Sequence, residues 1–332
     1  MKTPSFWQSP SDPRSLLLAP LGWLWCRLAR RRLLAYRKGE KHAERLPVPV
    51  IVVGNITVGG SGKTPLTLWL AQTLHAAGWR PAVLSRGYGA KIEGEPRRVR
   101  ADSLATEVGD EPLLLKRRLG ETVELIVHPE RVRAGRLAIA LGANVLLLDD
   151  GLQHLKLARD LEIAVVDGAR GLGNGRCLPA GPLREPLERL QEVDAVVVQG
   201  GASEAGPWGM RLIPRAAVNL VDGRSQPLAA FRGQPCDALA GIAHPERFFA
   251  MLRGLGLDIE GHPFADHHPF SAADLAAFAA RPLLMTEKDA VKCQAYAQPN
   301  HWYVPVEAEV DAGLAEFILS RLEPLRDGQT PA

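Results

Sequence analysis

Residues 54–64, GNITVGGSGKT, bring together residue types that can hold a polyphosphate. The β-branched run VIVV at 50–53 precedes them, and PLTLWLA at 65–71 follows with helical character. Backbone N–H groups of such a turn, with those of the unsatisfied first helical turn, converge on one point and favour an anion there. In this context Lys63 reaches the β- and γ-phosphates of a nucleotide and the Thr64 hydroxyl holds Mg²⁺. Gly59, Gly60, Ser61 and Gly62 form the cradle, with Gly59 and Gly60 expected to supply positive φ. The strict motif wants glycine six places before the lysine, where this chain has Thr57. A glycine-rich turn that holds nothing is the alternative, and the complete strand, turn and helix context argues against it.

The carboxylates such a site needs appear eighty-six residues after the lysine, in NVLLLDDGLQH. A buried apolar strand ending in aspartate is the second half of a nucleotide site, with Asp150 the first choice for the ion and Asp149 the second. Gln153 reads substrate or positions the loop. Asp110, in VGDEP, either caps the helix LLLKRRL or faces the γ-phosphate as a base, and spacing alone favours the cap. Arg86, in SRGYG past an expected strand at 81–84, is either a ligand contact or a solvated loop charge. Residues 171–186, GLGNGRCLPAGPLREP, are too rich in glycine and proline for a helix and too long for a simple turn. Such loops are usually functional. Arg184 and Glu185 are its candidate working groups, with Asn174 a further substrate candidate; an exposed ion pair is the alternative.

The elements that must position these groups alternate. Expected strands at 50–53, 81–84, 124–127, 144–148, 161–166 and 195–198 are separated by helical stretches, which implies an α/β fold with a doubly wound, mainly parallel sheet. The pattern changes near 210–225, read as extended linker strands, and then resumes in a smaller α/β region. The expected division is 1–46 as an N-terminal segment, 47–209 as the phosphate-loop domain, 210–225 as linker and 226–332 as the second domain. In that domain Ser271 with Asp274 reads as a capping box. His262, His267 and His268 near Asp266 raise the thought of a metal, but no cysteine or HExxH pattern accompanies them.

Composition bounds the reading. The chain has 332 residues and a net charge of +3, yet residues 1–46 carry ten Lys/Arg against three Asp/Glu, leaving the remainder at −4. A basic character confined to one end argues against a general nucleic-acid binder. The apolar stretch 16–26 has eleven residues and contains Pro20 and Gly22. At about 16 Å as a helix it is too short to span a bilayer. Trp23 and Trp25 beside Arg27, Arg30, Arg31 and Arg32 suit the interface of an anionic membrane; an amphipathic helix on the protein's own core is the alternative. Cys26, Cys177, Cys236 and Cys293 are far apart, which fits a reducing compartment and suggests neither zinc nor a disulfide frame.

In order along the chain, GNITVGGSGKT, SRGYG, VGDEP, LLLDDGLQH, GNGRCLPAGPLREP, GIAHPERFF, FADHH and TEKDAVK resemble the tetraacyldisaccharide 4'-kinase family of lipid A biosynthesis. The resemblance covers residues 10–320, and Thr57 stands where that family's usual loop also departs from the strict motif. It implies ATP-dependent, Mg²⁺-assisted phosphorylation of the 4'-hydroxyl of a tetraacyldisaccharide 1-phosphate. It also implies a cytoplasmic, peripheral position on the inner membrane, no obligate protein partner, and two α/β/α domains with the active site in the cleft between them. By motif, Lys63 and Thr64 serve phosphate and Mg²⁺, Asp150 and Asp149 serve the metal, Asp110 lies near the attacking hydroxyl and His267 pairs with it. That reverses the preference for Asp110 as a cap. The main rivals are a GTP-dependent switch protein and a soluble small-molecule kinase. The first would carry NKxD and paired Cys/His ligands, and neither is present; the second would not need the tryptophan–arginine N-terminus.

Overall fold

The computed structural model describes residues 4–202 and 206–326, which form two compact units. The larger comprises residues up to 211 together with those from 308 onward, and the smaller comprises 212–307. The chain opens with helix α1 (Pro13–Arg37), capped by Asp12, whose side chain accepts from the Arg14 N–H. Then come β1 (Val50–Gly54), α2 (Lys63–Ala76), β2 (Pro81–Ser85), the two-residue β3 (Arg97–Arg98), α3 (Ala105–Val108), α4 (Asp110–Leu119), β4 (Glu124–Val127), α5 (Arg131–Ala140), β5 (Val145–Asp149), β6 (Leu161–Asp167), β7 (Ala195–Gln199) and β8 (Trp208–Pro214). The smaller unit adds β9 (Ala217–Asn219), β10 (Ser225–Gln226), β11 (Pro235–Ala240), α6 (Pro245–Gly254), β12 (Asp258–Pro263), α7 (Ala272–Ala276), β13 (Leu283–Thr286), α8 (Glu287–Cys293) and β14 (His301–Val304). The chain ends with β15 (Val306–Val310) and α9 (Ala312–Leu322).

In the larger unit nine strands form one sheet in the order β15-β8-β7-β6-β1-β5-β2-β4-β3. Pairings from β8 through β4 are parallel, and β3 runs antiparallel to β4. Strands β1, β2, β5 and β6 are buried along their whole length. This is why they read as mainly apolar runs rather than alternating ones, with Glu162 inside β6 a charged exception: helices cover both faces of a parallel sheet. From β1 the chain passes through α2 to β2 on one side, whereas β6 lies on the other. Ligands in open α/β sheets sit beyond the strand ends where the order reverses in this way.

In the smaller unit six strands run β10-β9-β14-β13-β11-β12, parallel from β14 to β12 and antiparallel around β9. Phe248, Phe249 and Leu252 of α6 fill one core with Ala238, Ala240 and Trp302. Leu275, Phe278 and Cys293 pack with Leu239 and Met285 in another. The capping box is present at α7, with the Ser271 side chain and Asp274 bonding reciprocally, although the helix is only five residues long.

Several expectations are corrected. Residues 210–225 are extended, as read, but their strands join the sheets: β8 the large one and β9 and β10 the small one. Helix α9 belongs to the larger unit, although it lies at the end of the expected second domain. Cys26 and Cys177, 151 residues apart, form a disulfide between α1 and the loop after β6 where no disulfide was expected; Cys236 and Cys293 are buried free thiols.

Candidate active site

The turn after β1 is held by one buried amide. Asn55 Nδ2 donates to Ser61 Oγ at 3.0 Å and Gly59 O at 3.3 Å, with Thr57 Oγ1 at 3.5 Å. Positive φ falls on Gly59 (105°) and Gly62 (87°), not on Gly59 and Gly60 as the sequence suggested. Gly62 is the cap of α2, and its left-handed backbone is natural only to glycine. A Cβ there would also stand 2.8 Å from Gln199 Oε1 and 2.9 Å from Met210 Cε. Lys63 and Thr64 are therefore the first two residues of α2, beside its unsatisfied N–H groups. Pro65 in the first turn gives up no hydrogen bond the helix needs.

At the end of β5, Asp149 is buried and Asp150 adopts φ 50°, a strained value for a non-glycine residue. The two adjacent carboxyls are driven in opposite directions. Burial, with the charges of Glu111 and Asp150, pushes Asp149 up to about 7 against the pull of Lys63 and a hydrogen bond from Thr67 Oγ1 (3.1 Å). Burial also opposes ionisation of Asp150, but Lys63 and then Arg184 outweigh it and hold that carboxyl below its ordinary range. Lys63 Nζ lies 3.6 Å from Asp150 Oδ1, and Arg184 Nη1 lies 3.2 Å from both carboxylate oxygens.

Arg184 reaches Asp150 because residues 182–184 run along the phosphate turn: Val58 N–H donates to Pro182 O and Arg184 N–H to Ile56 O. Gln153 links the two loops, donating to Asn55 O (3.0 Å) and Glu185 Oε1 (2.5 Å) and accepting from Arg184 Nη1 (3.3 Å). Of the predicted residues, the larger unit thus gathers Lys63, Asp150, Gln153, Arg184 and Glu185 into one connected cluster at the glycine turn, with Asp149 beside Asp150. Arg86 is exposed at the end of β2. Asp110 is the first helical residue of α4 and Gly109 is the cap, so the aspartate does not have the capping role that spacing favoured. Asn174 goes elsewhere: its amide donates to Ser15 Oγ, Ala180 O and Phe6 O, tying the N-terminal segment to its own loop rather than facing the phosphate turn.

His267 belongs to the smaller unit, where it has φ 60°, its N–H donates to Gly241 O, and its Nε2 lies 3.2 Å from Lys288 Nζ. The three histidines do not gather around Asp266. His262 bonds Asp237 (2.9 Å) and His268 reaches Asp274 (3.4 Å).

Arg131, only one of several helix arginines by sequence, is buried at the start of α5, and its Nη1 donates to His128 O (3.0 Å). Burial lowers it to about 10, with the charge of Arg86 adding and those of Asp149 and Asp150 opposing. No local signal distinguishes it in sequence from the partly exposed Arg133 or the exposed Arg136, each in an ion pair.

Helix α1 packs on the protein itself and also leaves an apolar face uncovered. One face packs on residues 177–184: Gly22 is so close that a Cβ would stand 2.8 Å from Cys177 O, Ser15 Oγ donates to Ala180 O and Trp25 Nε1 to Arg184 O. Leu16, Leu17, Leu21, Trp23, Leu24 and Leu28 remain exposed. Among the described residues no helix is long and apolar enough to cross a membrane.

A mostly parallel α/β sheet with a glycine turn, lysine and paired carboxylates at its carboxyl edge defines the class: an α/β protein. Residues 14–323 match the family model described as tetraacyldisaccharide-1-P 4'-kinase, LpxK. The chain is 50% identical to the tetraacyldisaccharide 4'-kinase of Alkalilimnicola ehrlichii, covering 97% of this chain and 98% of that one. It is 49% identical to that of Aeromonas hydrophila, covering 94% of each. The crystal structure of the "apo" form of LpxK from Aquifex aeolicus in complex with ATP matches with a TM-score of 0.78 and 30% identity, over 93% of this chain and 99% of that one. The chain belongs to the tetraacyldisaccharide 4'-kinase family, and it is a kinase.

Proposed function

We propose that this protein transfers the γ-phosphoryl group of ATP to the 4'-hydroxyl of a tetraacyldisaccharide 1-phosphate, in lipid A biosynthesis. The observation that carries the reading is the Lys63–Asp150–Arg184 cluster at the glycine turn, in a chain whose relatives are named for this reaction. ATP is the donor bound by the solved relative. The turn residues 59–62 and Lys63 cradle the phosphates.

Thr64, Asp149 and Asp150 are all hard oxygen donors grouped at the phosphate turn and the adjoining end of β5, a set that suits Mg²⁺. When bound, Mg²⁺ neutralises phosphate charge. Phosphoryl transfer otherwise leaves the protein the work of positioning and charge stabilisation. Lys63 neutralises the phosphates, and Arg184 and Gln153 hold Asp150 and the turn in register. Asp110 accepts the proton of the attacking hydroxyl late, as the new P–O bond forms; an aspartate is too weak a base to take it earlier. His267 works with Asp110, Arg86 is a substrate contact, and the exposed leucines and tryptophan of α1, beside its arginines, hold the protein peripherally on the anionic cytoplasmic face of the inner membrane.

The test is transfer of labelled γ-phosphate from ATP to detergent-dispersed tetraacyldisaccharide 1-phosphate, with and without Mg²⁺. Mg²⁺-dependent formation of a bisphosphorylated product supports the reading. A folded, ATP-binding preparation that transfers nothing refutes it. Asp110→Ala is expected to lower kcat at least ~10²-fold while ATP binding survives. If His267 acts with Asp110, adding His267→Ala to that variant costs little more; multiplicative losses would separate the two residues.

A further inference from the structure

Behind the cluster lies a buried chain of charges. Arg189, 1% exposed, donates from Nε to Glu185 Oε2 (3.1 Å) and from Nη2 to Glu162 Oε1 (2.5 Å). Glu162 sits on β6 next to the central strand and also accepts from Arg159 Nη1 (2.9 Å). Glu185 is buried with both oxygens engaged, one by Arg189 and the other by Gln153. Gln153 in turn holds Asn55 O at the root of the phosphate turn and Arg184, and Arg184 holds Asp150. Burial opposes both charges of the Arg189–Glu162 pair, but their hydrogen bond and mutual attraction keep Arg189 above and Glu162 below their ordinary ranges. Such a pair is expensive to bury, and replacing it with apolar groups often costs no stability. Stability alone therefore does not account for it.

We infer that Arg189, anchored on the sheet by Glu162, is a positioning residue for phosphoryl transfer. It fixes the Glu185 carboxylate, which fixes the Gln153 amide, which sets Arg184 and the start of the phosphate turn. Glu185 is then an internal strut rather than a substrate contact. The reason is geometric. The Gln153 amide must present its nitrogen to Asn55 O and its oxygen to Arg184, and an acceptor-only carboxylate at Glu185 Oε1 enforces that orientation. Arg189, donating from Nε to Glu185 Oε2, holds that carboxylate in place with its other oxygen turned to Gln153. The inference rests on the proposed roles of Lys63 and Asp150.

The experiment measures kcat per folded molecule, KM for ATP and thermal melting for Arg189→Met, Glu162→Gln, Gln153→Ala and the Arg189→Met/Gln153→Ala double variant. Arg189→Met is expected to lower kcat ~10-fold with the KM for ATP changed less than ~3-fold, and the double variant to turn over no more slowly than Gln153→Ala alone, because residues in one network are non-additive. Glu162→Gln, which preserves shape, is expected to lower kcat ~3-fold and keeps the test open if Arg189→Met does not fold. Normal kcat in folded Arg189→Met and Glu162→Gln, with only the melting temperature reduced, would make the network structural and overturn the inference. So would multiplicative losses in the double variant. Lys63→Ala run alongside separates the two levels: if it retains nucleotide binding and turnover, the site reading itself fails, whatever Arg189 does.

Discussion

The phosphate turn at 55–62 and the loop at 171–186 are both glycine-rich, yet they are organised in opposite ways. The turn is local. Its strand, its helix and its organiser Asn55 lie within a few residues of one another, and the Asn55 side-chain amide bonds forward to 57, 59 and 61. The loop is held from a distance. Asn174 reaches residues 6 and 15, Cys177 joins Cys26, and Arg184 meets Ile56 and Asp150. The internal bonds of the turn come from its own residues, whereas the loop that carries Arg184 to Asp150 is pinned by distant parts of the unit. The two therefore differ in what substitution should do to each.

The largest effect is expected at the turn. Lys63→Ala should lose nucleotide binding and at least ~10³-fold in turnover, read by nucleotide titration and the transfer assay. Normal nucleotide affinity would break the comparison at its stronger side. In the loop, Asn174→Ala should lower stability by about 1–3 kcal/mol by removing the hydrogen bonds that tie residues 6 and 15 to the loop, with turnover per folded molecule unchanged. Denaturant unfolding beside kinetics distinguishes this from a substrate contact, which would raise KM without lowering stability.

The smallest effect concerns pH. Burial first, then the charges of Arg131, Arg159, Lys156 and Arg32, lowers His154 to about 4 from its ordinary 6.5. Between those values the unfolded chain binds a proton that the native state refuses, so stability falls as pH drops from 6.5 towards 4. His154→Gln should remove that part of the slope, leaving stability at pH 8 changed mainly by packing. Melting curves at pH 8, 6 and 5 measure it. An unchanged slope would show that His154 is not held neutral.

What could be read from sequence follows the same division. The central strands, the glycine turn, Lys63, Thr64 and the paired aspartates were legible because each is a short local pattern. Positive φ at Gly62 rather than Gly60 was not, since it depends on how α2 is capped. The destination of Asn174, the Cys26–Cys177 bond and the return of α9 to the larger unit depend on contacts more than a hundred residues apart, which no spacing encodes. Arg131 and Arg189 were overlooked for a related reason: a buried, paired arginine has the same letter as a solvated one. Helix α1 resisted a single reading because it carries two faces, Gly22 and Ser15 for the loop, and Leu17 and Trp23 for its surroundings.

The central claim is that the 171–186 loop and the phosphate turn make one site, joined at Asp150. Turnover of Arg184→Met tests it most directly, with ATP affinity and melting temperature measured on the same preparation. The account predicts a folded protein with kcat reduced ~10²-fold, as expected when a charge aimed at the reacting phosphates' neighbourhood is removed. Wild-type turnover in that variant would mean that the loop merely lies beside the site, and the claim would be wrong.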